Sequence, residues 1–130
     1  MDKDRLTLTI LPDRLAVCRL APDAPLPDWA TRAGLYSITR TPDELSIVCN
    51  QAYVPEGITS VCCLRGLKIE GPLNLSMVGV LASLALPLAR AEISIFAIST
   101  YDTDYLLVTD EHLEKAALVL SESGHEIRTP

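Results

Sequence analysis

Residues 93–108 read Ile-Ser-Ile-Phe-Ala-Ile-Ser-Thr-Tyr-Asp-Thr-Asp-Tyr-Leu-Leu-Val. Two apolar runs flank a short polar segment, Ser99 to Asp104. This pattern predicts two antiparallel strands, Ile93–Ile98 and Tyr105–Val108, joined by a tight connection. Such a link puts backbone amides, hydroxyls and two carboxylates at one edge of a sheet, where a small polar ligand can sit. Just upstream, Met77, Val80, Leu81, Leu84 and Leu88 recur at helical spacing. That helix is expected to start near Leu75 or Ser76, with Gly79, Ala82 and Ser83 as a small-residue face and Pro87 either kinking it or marking its last turn.

The same reading extends along the chain. Leu6–Leu11 and Leu15–Leu20 are expected strands, separated by a turn at Pro12-Asp13. A proline-rich loop, Pro22 to Pro27, leads to a short helical piece around Trp29. Tyr36–Arg40 and Leu45–Cys49 form a strand pair across Thr41-Pro42-Asp43, and Ile58–Leu64 and Leu67–Glu70 flank a turn or bulge at Arg65-Gly66. Asp110 is a good N-cap for a second helix with Leu113, Ala117 and Leu120 on its apolar stripe; Gly124 ends it, before a last strand at His125–Arg128. The C-terminal part therefore runs βαββαβ. A shift of 60 residues lays Ile38 on Ile98, Glu44 on Asp104 and Val48 on Val108, so a weaker copy with shrunken helices precedes it. The expected fold is α+β: two βαββαβ units, residues 1–65 and 66–130, side by side, with antiparallel sheet and helices on one face.

Composition narrows the function. The formal net charge of -6 argues against nucleic acid, whose phosphates need clustered Lys and Arg. The most apolar stretch, Met77 to Ala89, is too short to span a bilayer, and no basic amphipathic run points to a membrane surface. The N-terminus leads into a strand without an apolar signal segment, so a cytoplasmic protein is expected. Cys18, Cys49, Cys62 and Cys63 lie in apolar strand-like runs and read as reduced core cysteines. A zinc site or a disulfide framework is the other reading. Asp102 and Asp104 lack obvious further oxygen ligands for a metal. His112 and His125 have no Ser, Cys or Asp partner at a recognisable spacing, and no nucleotide or nucleophile motif occurs. No catalysis, no metal and no cofactor are expected.

Glu70-Gly-Pro-Leu-Asn-Leu-Ser-Met-Val-Gly79, followed by Ile95-Phe-Ala-Ile-Ser-Thr-Tyr-Asp-Thr-Asp-Tyr105, resembles the tandem ACT-domain proteins. These include small bacterial two-ACT proteins and the ACT pairs of animal cytosolic arginine sensors. Thr39-Arg-Thr-Pro-Asp-Glu-Leu-Ser-Ile47 resembles the family's first-domain strand pair. The resemblance implies ferredoxin-like units that bind amino acids at domain interfaces and regulate a partner. It implies that Asp104 meets the ligand's amino group and that Thr100 and Tyr101, with Ile98 and Ser99, line the ligand. It implies that the backbone entering the first helix, Asn74, Leu75, Ser76, Val78 and Gly79, receives the carboxylate. A helix N-terminus has free N–H groups and a partial positive charge, which suits that task.

The expected function is thus an amino-acid-binding sensor or regulatory protein. Exposed strand edges and the small-residue helix face favour a homodimer, in which an interface completes the site. An as yet unidentified regulated protein is the expected partner. The alternative is a ligand-free dimerisation or protein-interaction module, in which Ser99 to Asp104 is merely solvated.

Overall fold

Pro12-Asp13 does not turn the chain. In the computed structural model, which describes residues 5–73 and 78–130, both residues lie inside one 14-residue strand. Among the described residues the order is β1 (Thr7–Leu20), β2 (Ser37–Arg40), β3 (Leu45–Asn50), β4 (Thr59–Ile69), α1 (Val80–Arg90), β5 (Phe96–Ser99), β6 (Asp104–Thr109), α2 (Leu113–Glu122) and β7 (Glu126–Arg128). Short 3-10 turns lie at Asp28–Thr31, Gln51–Tyr53 and Asp110–His112. β1 pairs with β3 at residues 15–20 and with β7 at residues 7–9. Pro12 falls outside both registers, so its missing N–H interrupts neither. Arg65-Gly66 is likewise inside β4 rather than a turn. A Cβ on Gly66 would come within 3.1 Å of Leu11 Cδ1, so glycine there permits close packing.

The chain divides into two compact units, residues 13–64 and residues 5–12 with 65–130. The segment 5–12 thus belongs with the C-terminal unit, unlike a division in chain order at 65/66. In the 13–64 unit, β2 pairs with β3 antiparallel (Ser37↔Val48 to Arg40↔Leu45), and β3 with β1 (Leu15↔Asn50 to Leu20↔Leu45). Ala16, Cys18, Ala30, Leu45, Ile47 and Cys49 form its buried cluster, with Trp29, Ile38 and Ile58 packed against it. The shrunken helices expected there are 3-10 turns of four and three residues.

In the other unit the strand order is β7–β1–β4–β6–β5. β7 is parallel to β1, and β5 and β6 are antiparallel. Leu8, Ile10, Leu67, Ile69, Leu106 and Val108 project from one sheet face into a cluster with Leu84 and Leu88 of α1 and Ala116 and Leu120 of α2. The spacing of these residues is two along each strand and four along each helix, as each geometry requires. Each fully buried Leu contributes about 1.5–3 kcal/mol. The architecture is α+β, with both helices on one face of a largely antiparallel sheet.

Three local expectations are corrected. In the described residues helix α1 begins at Val80, and the expected starts, Leu75 and Ser76, lie outside them. Gly79 takes a φ of +78°, a left-handed conformation that cannot continue a right-handed helix. Asp110 opens a 3-10 turn ahead of α2 instead of capping it, and Ala116, not Ala117, is the buried alanine. Cys18 and Cys49 are buried core residues, but Cys62 and Cys63 are exposed and joined by a disulfide. Cys63 has a φ of +66°, and the exposed stretch takes in all of Thr59–Cys63, so the first half of β4 contributes nothing to the core.

His125 is 6 % exposed and has a structural task. Its Nδ1 accepts the Leu6 N–H at 3.1 Å, while the Glu126 N–H donates to Leu6 O at 2.8 Å. These bonds fasten the start of β7 to the start of β1. We expect His125→Ala to lower the unfolding free energy by about 1–3 kcal/mol, because the Leu6 amide is left without its buried acceptor. Leu88→Ala should cost about 2–5 kcal/mol through the cavity it leaves in the cluster. Urea unfolding followed by circular dichroism measures both. A His125→Ala protein as stable as the parent would show that water replaces the ring.

Candidate ligand site at the β5–β6 connection

Thr100 closes the connection between β5 and β6. Its N–H donates to Thr103 O at 2.8 Å, its Oγ1 donates to the same carbonyl at 3.0 Å, and that Oγ1 accepts the Thr103 N–H at 3.2 Å. Thr41 closes the β2–β3 connection in the same way. Its N–H donates to Glu44 O at 2.9 Å, and its Oγ1 accepts the Glu44 N–H at 3.2 Å. The flanking registers agree: Arg40↔Leu45 in one unit, Ser99↔Asp104 in the other. Thr41 and Thr100 are 59 residues apart, so the repeat is offset by one from the 60-residue shift. A one-residue slip moves every side chain to the opposite face. Asp104 therefore matches not Glu44 but Leu45, which is 0 % exposed in the core of its unit.

Asp104 occupies a position built for a core residue. Strand alternation puts it on the face of Leu106 and Val108, toward the helices. It is half-buried, and among the described residues none of the hydrogen bonds or ion pairs uses its carboxylate. No buried side-chain nitrogen or oxygen among the described residues lacks a partner, so the free carboxylate reaches solvent.

The opposite face holds a pocket of about 310 Å³ lined by Lys68, Glu70, Gly71, Pro72, Thr100, Asp102, Thr103 and Tyr105. Two bonds shape it. Leu73 N–H donates to Asp102 O at 2.6 Å, and Thr103 Oγ1 donates to Ile69 O at 2.5 Å. Gly71 permits the approach, since a Cβ there would stand 2.9 Å from Leu73 N and 3.0 Å from Asp102 O. Glu70 is already engaged: Oε2 accepts from Thr9 Oγ1 at 2.8 Å, and Oε1 lies 3.9 Å from Lys68 Nζ. The Asp102 side chain is exposed.

The sequence-predicted residues thus divide. Thr100 lines the pocket. Ser99 pairs with Asp104 across the strands and shares its face, whereas Ile98 pairs with Tyr105 and is buried on the other. Tyr101 is 84 % exposed and Val78 97 %. Gly79 has nothing within 4 Å of where a Cβ would be, so the glycine serves its positive φ and not a close approach. Asn74, Leu75 and Ser76 lie outside the described residues. Sequence reasoning missed Lys68, Glu70, Gly71, Asp102, Thr103 and Tyr105 as pocket residues. Strand parity was the available signal, because residues 103 and 105 cannot share a face with 104.

The start of α1 comes to the same end of the unit. β4 leads into the 71–73 segment that bonds the connection, and α1 runs back to the start of β5. The first helical bond is Ser83 N–H to Gly79 O at 2.9 Å. The amides of Val80, Leu81 and Ala82 precede it, and no side chain caps them at Gly79. Among the described residues, no group of three or more His, Cys, Asp or Glu could hold a metal ion, and no helix is long and apolar enough to cross a membrane.

The ACT-domain family matches residues 59–122, and a second family, for an N-terminal domain, matches residues 13–57. No curated protein matches the chain. A solved structure of a protein from Agobacterium tumefaciens is 37 % identical, with a TM-score of 0.93 over 97 % of this chain and 94 % of that one. A protein of unknown function from Vibrio cholerae is 20 % identical, with a TM-score of 0.75 over 93 % of this chain and 91 % of that one. The regulatory subunit of aspartate kinase from Thermus flavus is 12 % identical, with a TM-score of 0.65 over 89 % and 95 %. These last two are likenesses of fold alone. With an ACT match running from β4 through α2, and a 37 %-identical structure over nearly its full length, the chain belongs to the ACT-domain family.

Proposed function

We propose that this protein senses a free amino acid and regulates a partner, with no chemistry of its own. The observation that carries the reading is Asp104: a half-buried, unpartnered carboxylate where the other unit has the fully buried Leu45. A carboxylate in place of a core leucine costs stability unless it is solvated or given a cationic partner. A ligand ammonium is such a partner, through a charge-assisted hydrogen bond. The ligand's carboxylate then lies against the amides of Val80, Leu81 and Ala82, where the helix start carries partial positive charge. Ser99, paired with Asp104 across the strands, supplies a hydroxyl beside it, and the resemblance to ACT-domain sensors supports the same two-ended grip.

The site is open as built in one chain. Val78 and Tyr101 are almost wholly exposed apolar side chains beside it. A second copy of the chain that covers them would complete the enclosure, so the sensor is proposed to work as a homodimer. A ligand that binds only the assembled form shifts the monomer–dimer equilibrium, and a regulated protein can read that shift.

Thermal shift with each standard amino acid, with native mass measured alongside, tests the reading. One or a few amino acids should stabilise the protein, by about 2.7 kcal/mol at 100 times the dissociation constant. Asp104→Ala should abolish that shift, while Asp102→Ala, on the opposite face, should keep most of it. If the Asp102 variant loses the shift and the Asp104 variant keeps it, the ligand occupies the pocket of Lys68 and Tyr105 instead. No shift with any amino acid, on a folded dimer, would leave the interaction-module reading.

A further inference from the structure

We propose that Cys62 and Cys63 form a reversible thiol–disulfide site that exchanges with low-molecular-weight disulfides of the glutathione type. Both residues are exposed and bonded to one another. Exposed disulfides are the ones that exchange readily, because the attacking thiolate can reach a sulfur. The partner thiol is the next residue in the chain, so a resolving thiol lies beside the one attacked. The backbone at the pair is also held in one conformation. Cys63 has a φ of +66°, which residues other than glycine seldom adopt, and the Gln51 side chain holds it there: Gln51 Oε1 accepts the Cys63 N–H at 2.8 Å. Gln51 belongs to the 3-10 turn after β3, so a side chain 12 positions earlier in the chain steadies the pair.

The other two cysteines are withheld from this chemistry. Cys18 and Cys49 are 1 % and 2 % exposed. Burial, with Cys49 beside it, pushes the Cys18 thiol up to about 11, and burial raises Cys49 as well. Neither supplies a thiolate or an open path to one. The site is therefore confined to one exposed pair.

The exchange balances in two steps. One thiolate of the reduced pair attacks a sulfur of R–S–S–R. A protein–S–S–R bond forms, the R–S–S–R bond breaks, and RS⁻ leaves. The neighbouring thiolate then attacks the protein sulfur of that mixed disulfide. The Cys62–Cys63 bond forms, the bond to R breaks, and the second RS⁻ leaves. The two protons given up by the pair end on the two leaving thiolates. The pair is oxidised by two electrons, and the small disulfide is reduced to two thiols. A surplus of the small thiol runs both steps backwards.

The test uses the full chain, reduced and then equilibrated in glutathione buffers of stepped thiol-to-disulfide ratio. Free thiols are trapped by alkylation after acid quenching and unfolding, then mapped by mass spectrometry. Cys62 and Cys63 should lose alkylation together as the buffer becomes oxidising, while Cys18 and Cys49 stay fully alkylated. Cys63→Ser should accumulate the mixed disulfide on Cys62, which the parent does not. Gln51→Ala should lower the equilibrium constant for closing the pair by about three- to tenfold, the effect of one lost hydrogen bond. A pair that stays fully alkylated in the most oxidising buffer overturns the proposal, as does parallel oxidation of all four cysteines. An unchanged constant in Gln51→Ala overturns the positioning role of Gln51.

Discussion

The two-residue period of a β-strand is the constraint on which the site depends. β6 is held in register by Leu106 and Val108, both buried among the side chains of α1 and α2. Once those two are committed to the helix face, every other position of the strand is assigned. Asp104 must look the same way as the core, and Thr103 and Tyr105 must look the other way. The connection has no freedom to compromise, because Thr100 closes it and Thr103 ties it to Ile69. One hairpin therefore presents two chemically distinct surfaces a single residue apart. One carries a free carboxylate, the other a polar pocket whose glutamate is already engaged by Lys68 and Thr9.

Much of the architecture could be read from the sequence because it rests on long, regular patterns. The β2–β3 and β5–β6 pairs, the helix through Leu84 and Leu88 and the one ending before Gly124 all follow from periodicity and turn residues. What could not be read depends on tertiary partners. Pro12-Asp13 carries turn chemistry, yet it lies inside a strand, outside the registers that β1 makes with β3 and with β7. Gly66 looks like a turn residue and is a packing residue. Cys62 and Cys63 sit in an apolar run that suggests burial, yet all of Thr59–Cys63 is exposed and Cys63 is left-handed. No local preference announces that conformation for a cysteine.

That Ser99, Thr100 and Asp104 share one strand connection was legible in the sequence, and the faces they take were not. Ser99, Thr100 and Asp104 do gather at the connection, but on two faces. The 60-residue shift concealed this, because it aligned acid with acid, Glu44 with Asp104. The hydrogen bonds of Thr41 and Thr100 give the better alignment, in which the acid replaces a leucine. Similar side chains are a weaker guide to a degenerate repeat than similar turns, since function is free to change a side chain while the turn must still close.

The chain crosses between its two units at 12/13 and 64/65, each time within a strand. Neither crossing is a linker. A cut at either point would fall inside a strand, and the stretch that matches the ACT-domain family, residues 59–122, lacks both β1 and β7 of its own sheet. The C-terminal unit is therefore not contiguous in sequence. Its first strand is synthesised before the whole of the other unit, and its last strand can find β1 only after both helices have been made. In its folding, the family segment is an interior passage of a larger structure and not a detachable module.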